Sequence, residues 1–133
     1  MKILKRRFLS ALLIVVAGTF LPTTSQAATP YLNLHISINI SPQAAAKVIN
    51  LTCTPDSKNV PHAKSICRSL LQAGFKSFKP TPKNEACTMI YGGAQTATIT
   101  GRWGHKVVNA QFSRTNGCEI TRWANLSFLL GKF

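Results

Sequence analysis

At 133 residues, with 16 Lys and Arg against three acidic residues, the chain is short and strongly basic, carrying a formal net charge of +13. Three carboxylates leave little material for paired-acid glycosidase chemistry or for carboxylate-rich metal sites. The length suits one domain with one core.

The chain opens on the pattern of a targeting signal. Lys2, Lys5, Arg6 and Arg7 precede an apolar run from Phe8 to Leu21, and Ser25-Gln26-Ala27 supplies a small-residue cleavage site. That run is 14 residues long and interrupted by Gly18, short of the roughly 20 residues that span a bilayer. The expected organisation is a signal peptide over 1–27 and a mature, soluble domain over 28–133, secreted to the extracellular space or periplasm. No cysteine lies near the cleavage site to carry a lipid anchor. Losing four cations with the signal leaves 12 against Asp56, Glu85 and Glu119, a mature charge of +9. Such a balance favours acidic partners, nucleic acid or an anionic membrane surface among them, but the basic residues are scattered rather than gathered in a dense run.

Tyr31 to Ile40 alternates strictly, with Leu32, Leu34, Ile36, Ile38 and Ile40 on one side and polar residues on the other. This pattern predicts a strand with one face on a core and one in solvent. Lys47 to Cys53 predicts a second strand pairing with the first, ended by the turn Thr54-Pro55-Asp56-Ser57. Pro61 to Ala73 reads as a helix: Pro61 suits its first turn, Ala63, Ile66, Cys67, Leu70 and Leu71 share a stripe, and Gly74 sits at the cap. Phe75 to Ala86, with two prolines and three lysines, reads as a loop. It leads into Ala86-Cys87-Thr88-Met89-Ile90-Tyr91, where Met89 either begins a buried strand or projects from a braced recognition loop. Ala94 to Trp103 and Lys106 to Phe112 predict a hairpin across Gly104 and His105. Ser113 to Gly117 reads as a polar turn, and the apolar tail from Asn125 to Phe133 as a last strand, with Phe133 on the core.

All four cysteines, Cys53, Cys67, Cys87 and Cys118, fall in the mature part, as a disulfide framework in an exported chain would. No C-x-x-C pair offers the close spacing of a structural zinc site. Three pairings are open. Sequential pairing closes loops worth roughly 3 kcal/mol each, and Cys67 on the inward stripe of the helix is compatible with a bond to Cys53.

Catalysis finds little support. His35 on a polar strand face, His62 before a helix and His105 in a tight turn invite a ribonuclease reading, yet none has a partner pattern. No G-x-S-x-G motif is present, and two disulfides leave no free thiol. Asn50-Leu51-Thr52 and Asn125-Leu126-Ser127 match the glycosylation acceptor pattern, but both fall in predicted strands. Nothing calls for a cofactor, a metal or a small-molecule substrate, and the expectation is a protein that is not an enzyme.

Leu51-Thr52-Cys53-Thr54-Pro55, the helix carrying Cys67 and Leu70, Cys87-Thr88-Met89-Ile90-Tyr91, Gly101-Arg102-Trp103, Phe112, Cys118 and Phe133 follow one another in a specific order. In that order the chain, over about residues 46 to 133, resembles the Streptomyces subtilisin inhibitor family of secreted serine-protease inhibitors. The resemblance implies an α+β fold: a single-layer antiparallel sheet of about five strands with two helices packed on it, two disulfides, and a homodimer. It implies pairing of Cys53 with Cys67 and of Cys87 with Cys118, a reactive bond at Met89-Ile90, and protease contacts from Ala86, Cys87, Thr88 and Tyr91. The implied partner is a subtilisin-like serine protease, bound reversibly as a substrate would be. Met suits a broad apolar primary pocket, whereas a trypsin-like pocket should discriminate against it. Four departures stand against the family pattern: Pro61-His62 in inverted order, Thr88 and Ala86 in place of Pro and a larger apolar residue, a longer turn over Ser113 to Gly117, and Gly92-Gly93 where a proline is usual. The last predicts a loop left loose on its C-terminal side.

Overall fold

The structure, a computed structural model, describes residues 31–131, so the predicted signal peptide and Phe133 lie outside the described residues. The architecture is α+β. Strands β1 (Leu32–Asn39), β2 (Lys47–Cys53), β3 (Thr96–Trp103) and β4 (Lys106–Phe112) form an antiparallel sheet in the order β2-β1-β3-β4. Helices α1 (Ala63–Ala73), α2 (Gly117–Asn125) and α3 (Ser127–Leu130) complete it, with a 3-10 turn over Phe75–Phe78.

The period-2 pattern of β1 decides the layering. Leu32, Leu34, Ile36 and Ile38 are buried and stand opposite Trp103, Gly101, Ile99 and Ala97 of β3, which places one apolar face across the sheet. Leu70 of α1, Trp123 of α2 and Leu126, Leu129 and Leu130 at the chain's end join those residues in one core. Side chains on the other face, among them Asn33, His35, Thr98, Asn109 and Gln111, are exposed, so no helix of the described residues covers it. Gly101 lets β3 approach β1. At φ 139° it occupies a backbone region that favours glycine, and a Cβ there would collide with the Asn33 carbonyl oxygen.

Several sequence expectations are met. The β1–β2 and β3–β4 pairings form as read, and the Thr54–Ser57 turn closes with Ser57 N–H on Thr54 O at 3.1 Å. Gly74 ends α1 with its N–H on Leu70 O at 2.9 Å. The disulfides are Cys53–Cys67 and Cys87–Cys118, and no cysteine among the described residues is free.

Other expectations are corrected. The described sheet has four strands, not about five, because the tail is helical: Trp123, Leu126 and Leu130 repeat at three to four residues, a helical spacing that a strand cannot bury on one side. The described helices number three rather than two. Helix α1 begins at Ala63 instead of Pro61. His62 serves as its cap residue at φ 57°, and the His62 carbonyl accepts the Ile66 N–H at 3.1 Å. Leu71 leaves the buried stripe at 48% exposure, and Ile40 lies beyond the end of β1, exposed. The loop expected from Phe75 starts instead with the 3-10 turn, whose Phe78 is buried edge-on against Trp103.

Candidate functional site

The segment from Ala86 to Tyr91 crosses the start of α2, and that helix holds it. Helix α2 is itself well fixed. The Asn116 side chain accepts the Glu119 N–H at 3.0 Å as an N-terminal cap, Glu119 pairs with Arg122 at 2.5 Å and accepts from Thr81, and Trp123 is buried. Arg122 also lies over the Phe112 ring, 4.6 Å from its centroid.

Three attachments hang the loop on this base. Cys87 is bonded to Cys118 in the first turn of α2. The next residue, Thr88, has its carbonyl oxygen on the Gly117 N–H at 2.9 Å, which occupies one of the amide donors that a helix start leaves unsatisfied. On the far side, Gly92 donates its N–H to Arg114 O at 2.7 Å, and the Arg114 guanidinium donates to the Gln95 side chain at 3.2 Å.

Between the Thr88 and Gly92 clamps stand Met89, Ile90 and Tyr91, exposed at 91%, 61% and 66%. Of the two positions open to Met89, the buried strand is therefore excluded. Among the described residues, no hydrogen bond holds the main chain of these three. Three large apolar side chains are thus exposed side by side in one short, clamped segment.

The glycines are fitted to this arrangement. A Cβ on Gly117 would run into the Thr88 hydroxyl, and one on Gly92 would meet Ile120 Cγ1 at 2.8 Å and Arg114 Cβ at 3.3 Å. Gly92-Gly93 therefore does not leave the C-terminal side of the loop unheld, contrary to the sequence expectation: absence of a side chain is what lets Gly92 reach Arg114 and Ile120. Gly93, at φ 131°, turns the chain toward β3.

Of the residues singled out in the sequence, Ala86, Thr88, Met89, Ile90 and Tyr91 are exposed, and Cys87 is half-buried in its disulfide. Sequence reading missed Arg114, Gly117 and Ile120, which support the loop from below, and took Gly92 for a source of looseness rather than a point of attachment. One signal was present: Asn116-Gly-Cys-Glu119 has the spacing of a helix N-terminus, where only a polar turn was expected. The histidines are dispersed. His35 bonds Asn50 at 2.7 Å on the open sheet face, His62 precedes α1, and His105 lies in the β3–β4 turn. Among the described residues, no three of His, Cys, Asp and Glu gather as metal ligands. Neither the protein-family models nor the curated proteins compared with this chain give a match.

Proposed function

We propose that the protein is a secreted inhibitor of subtilisin-like serine endopeptidases that offers Met89-Ile90 to the enzyme as a reactive bond. The observation that carries this is the clamped loop: three exposed residues bracketed by main-chain hydrogen bonds at Thr88 and Gly92, with a disulfide at Cys87. A protease cleft binds extended chain through its backbone, with one side chain anchored in a primary pocket. Met89 is the anchor, flanked by Ala86, Cys87 and Thr88 on one side and Ile90 and Tyr91 on the other.

Inhibition rather than digestion follows from the two clamps. When the enzyme's serine adds to the Met89 carbonyl and the bond to Ile90 opens, the new amine stays close. Ile90 remains tied through Gly92 to Arg114, and the acyl side remains tied through Thr88 and Cys87 to α2. Resynthesis then competes with hydrolysis, and dissociation is slow. The resemblance to the Streptomyces subtilisin inhibitor family supports the same bond. It also supports a homodimer, for which the open sheet face is suitable: Asn33, His35, Ser37, Thr98, Thr100 and Gln111 are polar, and Arg102, opposite Asn33, is the one Lys or Arg among the strand residues there. The disulfides indicate an oxidising compartment, and no helix of the described residues is long and apolar enough to cross a membrane.

The test is to incubate the mature protein with subtilisin and follow both residual activity and the inhibitor's mass. Inhibition with slow cleavage after Met89 is expected; rapid digestion without inhibition refutes the assignment. A second reading, a basic module for nucleic acid or anionic membrane surfaces on the same scaffold, draws on the charge. Among the described residues the only ion pair is Arg122–Glu119, so the other described cations have no acidic partner and most are exposed. It requires binding that weakens steeply with salt and ignores substitution of Met89.

A further inference from the structure

On the N-terminal side of Met89, a hollow of about 670 Å³ runs from the 3-10 turn to the loop, bordered by Lys76, Lys79, Thr81, Glu85, Ala86 and Thr88. Lys76, Lys79 and Arg122 also border a neighbouring hollow of about 510 Å³, so the two are separated by a cationic ridge. Arg122 is committed to Glu119. Lys76 and Lys79 are exposed and in no ion pair, and neither is Glu85, the one free acid on this border. Ala86 contributes only a methyl group, which leaves the hollow open beside the loop.

An enzyme seated on Met89 would cover the residues beside it, and Thr88 and Ala86, which precede Met89, border this hollow. Two lysines brought under a neutral or basic rim lose hydration without compensation, whereas an acidic rim supplies them with partners and speeds encounter. We propose that this hollow is a secondary docking groove for an acidic projection on the rim of the target protease, received by Lys76 and Lys79 and opposed by Glu85. The inference rests on the inhibitor assignment and names the kind of protease that it fits.

Association rates with two subtilisin-like proteases test it, one carrying Asp or Glu on the rim beyond the residue before the primary pocket, the other neutral there. They are measured at about 20 and about 200 mM salt, which spans strong and weak screening. The variants are Lys76→Gln/Lys79→Gln, Glu85→Gln, and a control, Lys58→Gln/Lys64→Gln, at the other end of α1. With the acidic rim at low salt, the groove pair should slow association about 5-fold and Glu85→Gln should speed it about 2-fold, with a smaller effect from the control pair. With the neutral rim, the groove variants should match wild type, and thermal stability should be unchanged throughout. Equal effects of groove and control pairs, or equal responses of the two proteases, overturn the groove while leaving the inhibitor assignment intact. Failure of wild type to inhibit either protease overturns both.

Discussion

Met89 gives 91% of its surface to solvent, so its identity is nearly free of the fold and open to selection by whatever binds it. Met89→Lys should therefore change unfolding free energy by less than about 0.5 kcal/mol, as exposed substitutions do. The same change should move inhibition from subtilisin-like enzymes toward trypsin-like ones, whose primary pocket neutralises a cation. Inhibition constants against both classes check this, and an unaltered preference places the reactive bond elsewhere. Gly92 presents the opposite case: it is half-buried, and its lack of a side chain admits the contacts to Ile120 and Arg114. Gly92→Val should push the loop off Arg114 O, so that cleavage after Met89 in the presence of subtilisin becomes about 10-fold faster. A variant that survives as long as wild type shows that this clamp does not hold the cleaved ends together.

Helix α2 shows how a short element serves both stability and site. Its cap residue Asn116 fixes the first turn, and that turn carries Gly117 and Cys118, two of the loop's attachments. Asn116→Ala should cost about 1 kcal/mol of stability in denaturant unfolding. It should also shorten the lifetime of the protease complex, which a helix serving stability alone would leave unchanged. Both edges of the sheet are partly blunted by side chains: Asn59 donates to Asn50 O on β2, and Arg122 donates to Gln111 O on β4. The strands were legible in the sequence because β1 alternates with period 2 and Gly104-His105 punctuates β3 and β4. The tail was misread because Leu126 to Leu130 is apolar enough to resemble a buried strand, and only the spacing of Trp123, Leu126 and Leu130 reveals the helix. The clamps were not legible. Each joins backbone groups from distant parts of the chain, Thr88 to Gly117 and Gly92 to Arg114, and main-chain hydrogen bonding leaves no mark on residue type beyond the glycines that permit it.

Across the whole molecule the two disulfides divide the work. Cys53–Cys67 ties the end of β2 to the buried stripe of α1, at the core, while Cys87–Cys118 ties the exposed loop to α2. The separations, 14 and 31 residues, give each bond roughly 3 to 4 kcal/mol by loop-closure entropy, so stability alone does not distinguish them. On the inhibitor assignment, resistance to proteolysis at Met89 should. Cys53→Ala/Cys67→Ala should lower the unfolding midpoint yet leave cleavage after Met89 slow in whatever fraction is folded, because the Thr88 and Gly92 clamps do not pass through α1. Cys87→Ser/Cys118→Ser should lower the midpoint by a similar amount and turn the protein into an ordinary substrate, since the acyl side then hangs on the single hydrogen bond at Thr88. Mass analysis of both variants with subtilisin, at a temperature where each is folded by circular dichroism, separates the roles. Equal cleavage rates in the two variants would mean that the loop disulfide contributes stability only, and the rigidity on which inhibition depends would then rest on the main-chain clamps.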